Sequence, residues 1–255
     1  MLAAERRYKI LEALRINQAI SVAELCQMLE ASEATIRRDL TLLEAEGKLE
    51  RTHGGALIND TRLSSEDPLA QKETLYRDEK HTIAVKAYET LIEGDSLVMD
   101  GGTTTLELAK LIGKSNLKLT IITNSTIVFK ELVTNPNLDL YMVGGKVRPN
   151  TLAAVGPIAL DQLSRFNVEK AFIGTNGIAL DAGFTTSDLD EALIKTAMLE
   201  RAKTRFILAD HSKFHKVYLN TFASLSHIDV LITDTKADAT LIKSIINAYD
   251  LEILQ

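Results

Sequence analysis

Asp100-Gly101-Gly102-Thr103-Thr104-Thr105 joins an apolar run to a helical one. Its glycines let the backbone approach a bound group, its hydroxyls can donate, and a helix start offers amide N–H groups without partners. That chemistry suits an anion, a phosphate above all. Glycine-rich turns after strands are common, so the run gains weight from its company. Thr123-Asn124-Ser125, Gly144-Gly145 with Arg148, Gly174-Thr175-Asn176-Gly177 and Asp210-His211-Ser212-Lys213 each follow a short apolar run. If those runs are parallel strands, the clusters all open on one sheet edge, where open α/β sheets bind ligands. Asp100, Gly101, Gly102, Thr103, Thr104, Thr105, Asn124, Ser125, Gly144, Arg148 and Asn176 are therefore expected around one small polar pocket.

A second kind of chemistry lies near the N-terminus. Arg37 and Arg38 are two guanidinium forks, each able to take a guanine edge bidentately or to clamp a phosphate. On an isolated helix such a pair reads as a solvated face. Here it begins the third of three short helical segments. Ile10, Leu11 and Leu14 recur at helical spacing in residues 5–17. Ser21-Val22-Ala23-Glu24 has the form of a capping box. Ser32 can cap a helix from Glu33 to about Glu46 that buries Ile36, Leu40 and Leu43. Glu33, Ala34, Thr35, Arg37, Arg38 and Thr41 then face outward. Gly47 ends this helix, and Leu49–Ala56, with Gly54-Gly55, reads as a tight hairpin. Ser32, Arg51, His53 and Gly54 complete the set expected on a duplex: helix-turn-helix, then wing.

These residues need two scaffolds. Residues 1–57 supply the first. A linker is expected at 58–75, polar and carrying Pro68 in its first part, although a helical pattern resumes at Leu69 and runs to Ile92. Residues 76–255 supply the second. Apolar runs at Ser96–Asp100, Leu119–Asn124, Leu138–Val143, Ala171–Gly174, Phe206–Asp210 and Val230–Asp234 alternate with helical stretches near 104–112, 126–133, 156–165, 188–202 and 238–247. The expected class is α/β, a small winged helix-turn-helix domain plus a larger domain with a mostly parallel sheet.

Composition bounds the rest. The 255 residues allow two cores. The net charge of −6 does not favour nucleic acid, and residues 1–60 hold eight Lys/Arg against ten Asp/Glu. The duplex reading therefore rests on where the arginines sit, because counterion release follows local phosphate contacts. Cys26 is the single cysteine, which excludes an internal disulfide. His81, His211, His215 and His227 lack metal-ligand spacing, so no metal and no cofactor is expected. No run approaches a membrane span and no signal-peptide core is present, so the expected location is cytoplasmic, with no membrane partner.

The run Ser32-Glu33-Ala34-Thr35-Ile36-Arg37-Arg38-Asp39-Leu40, then Leu43-Glu44, Gly47 and Arg51-Thr52-His53-Gly54-Gly55-Ala56, resembles the DeoR family of sugar-catabolism repressors over nearly the whole chain. The resemblance implies a sensor domain similar to ribose-5-phosphate isomerase, a phosphorylated sugar as effector, with fructose 1-phosphate or a related ketose phosphate first, double-stranded operator DNA, and a homo-oligomer, dimer or tetramer. It singles out Asp210 and Lys213, and Glu191 and Lys195 in Asp190-Glu191-Ala192-Leu193-Ile194-Lys195. Lys72 and Lys80, on the connecting helix, could lend charge to the pocket from outside, but read first as a solvated helix face. A sugar-phosphate isomerase or lactonase is the rival reading, yet Gly174-Thr175-Asn176-Gly177-Ile178 lacks the acidic pair that the isomerases carry after their central strand. No enzymatic activity is expected.

Overall fold

The computed structural model describes residues 2–17, 19–46, 48–52, 54–58 and 69–255. The chain divides into two compact units, Met1–Ser65 and Glu66–Gln255.

The first unit runs α1 (Ala3–Asn17), β1 (Ala19–Ser21), α2 (Val22–Leu29), α3 (Glu33–Ala45), β2 (Leu49–Arg51) and β3 (Gly55–Ile58). Both expected caps form. The Ser21 hydroxyl accepts from the Glu24 amide, while the Glu24 carboxylate accepts from the Ser21 amide at 2.8 Å. The Ser32 hydroxyl accepts from the Thr35 amide at 3.3 Å. Ile10, Leu14, Leu25, Ile36 and Leu40 are wholly buried where the three helices meet. Arg6 reaches Asp39 at 2.5 Å and fastens α1 to α3, a tie the helical pattern does not reveal. The strands form one antiparallel sheet in the order β1-β3-β2.

Gly55 is required there by close approach. A Cβ on it would stand 2.1 Å from the Ile20 carbonyl oxygen, whereas one on Gly54 would meet nothing within 4 Å. Gly55→Ala is expected to cost the first unit about 1–3 kcal/mol by overpacking, and Gly54→Ala to leave its fold intact. Thermal unfolding of the two variants checks this, and equal melting temperatures would refute it.

The second unit begins with α4 (Leu69–Thr74) and α5 (Arg77–Glu89). Then follow β4 (Ser96–Met99), α6 (Thr103–Gly113), β5 (Leu119–Thr123), α7 (Thr126–Leu132) and β6 (Leu138–Met142). A hairpin of β7 (Lys146–Arg148) and β8 (Ala153–Val155) leads to α8 (Pro157–Leu163) and β9 (Val168–Gly174). The chain closes with β10 (Gly177–Ala179), β11 (Gly183–Thr186), α9 (Leu189–Glu200), β12 (Ala202–Leu208), β13 (Asn220–Ala223), β14 (Val230–Ile232), α10 (Ala239–Ala248) and β15 (Glu252–Leu254).

Seven of these strands form a parallel sheet in the order β15-β14-β12-β9-β4-β5-β6. Successive residues serve opposite faces, and both faces are covered. Leu97, Met99 and Phe172 pack with Ile83 and Leu106 from α5 and α6. Val98, Ala171 and Ile173 pack with Leu163, Met198 and Ile245 from α8, α9 and α10. From β4 the chain proceeds outward to β5 and β6, then returns to β9 on the other side of β4 and proceeds the opposite way. The strand order therefore reverses between β4 and β9, where such sheets leave a crevice.

Three features depart from the expectations. The stretch 58–75 is not a linker throughout. Its 59–68 part lies outside the described residues, but Leu69–Thr74 is helical and Leu75 is buried. The Leu69 amide donates to the Asn150 carbonyl at 3.1 Å, which ties α4 to the β7–β8 turn. The helical pattern from 69 to 92 is two helices, because Tyr76 takes the left-handed conformation at φ 51°. The small sheet β10-β11-β13 and the edge strand β15 went unread, being three- or four-residue segments too short for a periodicity.

Candidate functional site

On the first unit, α3 presents Glu33, Ala34, Arg37, Arg38 and Thr41 to solvent, with Thr35 half-buried. Arg37 is held by Glu33 one turn back, at 2.7 Å. Arg51 does not project from the hairpin as expected. Its guanidinium donates to Thr41 Oγ1 at 3.0 Å and its amide to Glu44 Oε1 at 3.2 Å, so it braces β2 against α3. Gly54 borders the same open groove as Glu33 and Arg37. His53, the other hairpin residue expected on DNA, lies outside the described residues.

On the second unit, a cleft of about 660 Å³, its open mouth included, lies at the carboxyl ends of β4, β5, β9 and β12, at the strand-order reversal. Asp100, Gly101, Gly102, Thr103 and Thr104 line it beyond β4, Asn124 beyond β5, Gly174, Thr175 and Asn176 beyond β9, and Lys213 beyond β12. Glu191, Ile194 and Lys195 enter from α9, Leu69 and Lys72 from α4, and Thr151 and Ala153 from the β7–β8 hairpin.

Asp100 organises this cleft. Its Oδ1 accepts from the Gly102 amide at 3.0 Å and the Thr105 hydroxyl at 2.6 Å. Its Oδ2 accepts from the Gly174 amide at 3.0 Å and from the Lys195 ammonium, which also donates to the Gly174 carbonyl at 2.9 Å. Burial, the largest single influence, would raise this carboxyl; the Lys195 charge and the hydrogen bonds from Lys195, Thr105 and the Gly102 amide together outweigh it and hold the group below the usual carboxylate range. Both oxygens are thus engaged within the protein. Asp100 ties the end of β4 to the end of β9 across the reversal and shapes the turn that opens α6.

Gly102 at the cap position has no side chain to occupy the first amides of α6, and Gly102, Thr103 and Thr104 at that helix start all line the cleft. Two buried acceptors nearby lack partners among the described residues: Asn124 Oδ1, whose amide nitrogen donates to the Ala154 carbonyl at 2.7 Å, and Thr151 Oγ1. An uncapped helix start and unpartnered oxygens in one cleft suit a ligand that carries both an anionic group and hydroxyls.

Several residues expected in the cleft wall are elsewhere. Thr105 is fully buried and spends its hydroxyl on Asp100 and the Gly102 carbonyl. Ser125 caps α7 through the Val128 amide. Gly144 donates to Gln162 on α8, away from the cleft. Arg148 is not in the cleft lining; it pairs with Glu191, which is, and with Asp188 at 3.3 Å. Asp210 is completely buried and caps the short 3-10 turn His211–Lys213 through the Ser212 amide. Lys72 and Lys80, read as solvated, are not: Lys72 lines the cleft and Lys80 is buried. For Lys80 a signal existed, since Ile83, Ala84 and Ala87 follow it at three, four and seven residues. His211 and His215 do not pair with each other. Each meets its own carboxylate, Asp234 at 3.0 Å and Asp238 at 2.6 Å. Among the described residues no group of His, Cys, Asp and Glu is placed to hold a metal ion, and no helix is long and apolar enough to cross a membrane.

Sugar-phosphate isomerisation would need a carboxylate free to remove a proton from carbon. In this cleft Asp100 is engaged on both oxygens and Glu191 is paired with Arg148.

A profile of the DeoR C terminal sensor domain matches residues 76–235, and one of the DeoR-like helix-turn-helix domain matches residues 6–62. The chain is 36% identical over 237 residues to FruR, an uncharacterized HTH-type transcriptional regulator of Bacillus subtilis, covering 92% of this chain and 93% of that protein. It is 37% identical over 232 residues to the lactose phosphotransferase system repressor of Lactococcus lactis subsp. lactis, covering 91% of each. A ribose 5-phosphate isomerase A structure from Methanocaldococcus jannaschii aligns at a TM-score of 0.40, with 16% identity over 54% of each chain. The two relatives are named as a transcriptional regulator and a repressor, and this chain belongs to the DeoR family of DNA-binding transcriptional repressors.

Proposed function

We propose that the protein represses a sugar-utilisation operon in the cytoplasm, and that a phosphorylated sugar in the second unit's cleft sets its affinity for the operator. The observation that carries this reading is the cleft at the strand-order reversal, whose lining includes the uncapped start of α6 and, in Asn124 and Thr151, buried oxygens without a partner among the described residues. The α6 amides, with Lys72 and Lys213, take the phosphate. Asn124, Thr151, Asn176 and Glu191 take hydroxyls, and Asp100 and Lys195 hold the turn in shape. On the first unit, Ser32, Glu33, Ala34, Thr35, Arg37, Arg38 and Thr41 read the duplex from α3, supported by Gly54 and braced by Arg51. A homo-oligomer, dimer or tetramer, engages repeated half-sites, since operator symmetry mirrors protein symmetry.

The leading effector is fructose 1-phosphate or a related ketose phosphate. The relative named as a lactose phosphotransferase system repressor supports a sugar-linked role. The test is thermal unfolding against fructose 1-phosphate, fructose 6-phosphate, ribose 5-phosphate, fructose and inorganic phosphate. A ligand at a hundred times its Kd adds about 2.7 kcal/mol by mass action, which for a unit of this size is about 5–10 °C. Fructose 1-phosphate is expected to give that shift, and fructose or phosphate alone little. A panel in which no sugar phosphate moves the transition would overturn the reading.

A further inference from the structure

Glu33 carries the wrong sign for its place. It is the first residue of α3, exposed, on the open groove that Arg37 and Gly54 also border. A carboxylate facing a duplex repels phosphate, whatever the base sequence. Nor does α3 need it as a cap, since the Ser32 hydroxyl already accepts from the Thr35 amide. What Glu33 does is take one edge of Arg37. Its Oε1 accepts from Arg37 Nε at 2.8 Å and lies 2.7 Å from Nη2. Nε–H and one Nη2 hydrogen share that edge of the planar guanidinium. The neighbouring edge, formed by Nη1 and the other Nη2 hydrogen, is a second fork of the kind that matches guanine O6 and N7. The Arg37 backbone is held as well. Its carbonyl accepts from the Thr41 hydroxyl at 2.9 Å, and the Thr41 oxygen accepts from Arg51 at 3.0 Å.

We propose that Glu33 is a positioning residue for sequence readout: it holds Arg37 by the Nε–Nη2 edge, so that the Nη1–Nη2 fork meets one guanine, and it keeps the same side chain from clamping phosphate. This rests on the reading above that sets α3 on DNA. An exposed pair of this kind adds little to the stability of the free protein, and its effect lies in the complex instead. An arginine loses rotamer freedom when it binds a base, and a fork already held loses less. A phosphate contact reads no sequence. To make one through its Nε–Nη2 edge, Arg37 must leave the Glu33 carboxylate uncompensated, whereas a guanine on the other edge leaves the pair intact. Glu33 thereby lowers affinity for the wrong duplex more than for the right one, and specificity is that difference.

The test compares full-length wild type with Glu33→Ala, Glu33→Gln, Arg37→Ala and the double variant Glu33→Ala/Arg37→Ala. Fluorescence anisotropy at one salt concentration gives, for each, the affinity for a duplex selected by the wild-type protein relative to that for an unrelated duplex. Glu33→Ala is expected to bind the unrelated duplex more tightly than wild type does. It is expected to lose about fivefold or more of the ratio, the low end of what a bidentate base contact discriminates. Single base-pair changes in the selected duplex are expected to place that loss at the position that Arg37→Ala also relaxes. Glu33→Gln keeps an acceptor for the Arg37 edge without the charge, and its ratio is expected to fall between. In the double variant the ratio is expected to be no lower than in Arg37→Ala, because a positioning residue then has nothing to position. A merely structural Glu33 would weaken both duplexes alike and leave the ratio unchanged, and that result overturns the proposal. Equal losses with and without Arg37 would make Glu33 a base reader in its own right and overturn it too. If Arg37→Ala itself keeps the wild-type ratio, the reading of α3 is at fault, and Glu33 has no base contact to position.

Discussion

Replacing Arg37 and Arg38 together with alanine is expected to lower operator affinity at least thirtyfold while leaving the fold unchanged. Both side chains are exposed on α3, whose buried face is carried by Ile36, Leu40 and Leu43. Their removal therefore takes nothing from the core. A bidentate arginine contact with a base is worth about 1–3 kcal/mol, and two such contacts multiply to about thirtyfold or more. The Glu33 carboxylate that holds Arg37 does not compete seriously, since both side chains are largely exposed and such pairs contribute little in water. The single variants separate the roles. Loss of a base contact relaxes the preference at one position, whereas loss of a phosphate contact weakens all sequences alike and lowers the salt slope by about one. The measurement is fluorescence anisotropy on a duplex selected by the wild-type protein from a random pool. Wild-type affinity in the double variant would remove α3 from the interface.

The second large effect is expected at Lys195. Lys195→Met leaves the Asp100 carboxylate buried without its counter-charge, a class of change that costs about 3–5 kcal/mol. For a unit of this size that lowers the melting temperature by about 6–20 °C. The pH dependence carries a sign. Burial raises the Asp100 carboxyl, and the Lys195 charge with the hydrogen bonds from Lys195, Thr105 and the Gly102 amide more than compensates, so its folded value lies below the ordinary one. Its contribution is present above the unfolded carboxyl value, about 3.9, and is lost as the pH falls through the folded value. Without Lys195 the carboxyl rises. The gap between wild type and variant is therefore widest near neutrality and narrows on acidification. Adding Asp100→Asn to Lys195→Met removes the stranded charge and is expected to restore part of the loss. Denaturant unfolding at neutral and acid pH checks both statements, and a Lys195→Met protein as stable as wild type at neutral pH would contradict them.

The reading unit was legible in the chain because its signals are local. The Ser21–Glu24 capping box, the Ser32 cap and the spacing of Ile36, Leu40 and Leu43 all act within one or two helical turns, and each appears in the structure as written. Arg6 and Asp39 stand 33 residues apart, and no local pattern pairs them. The cleft was half legible. The rule that polar strand ends gather on one edge brought together the Asp100 turn, Asn124, Asn176 and Lys213. Thr105, Ser125 and Gly144, gathered by the same rule, and Asp210, singled out by the resemblance, are not in the cleft wall, because position at a strand end fixes neither where a side chain points nor how near the strand lies to the reversal.

By itself, then, the sequence determined the two scaffolds, the capped α3 with its paired arginines, the parallel α/β sheet and the family. These follow from periodicity, caps and motifs, which are short-range properties of the chain. Only the tertiary structure decided that both Asp100 oxygens accept from protein donors, that Arg51 braces α3, and that Lys72 and Thr151 complete the cleft wall while Lys80 lies buried against the end of α4. Those outcomes depend on which oxygens and ammonium groups come within hydrogen-bond reach once distant segments pack, and on which of them are left in the dry interior, where a charge must find its partner.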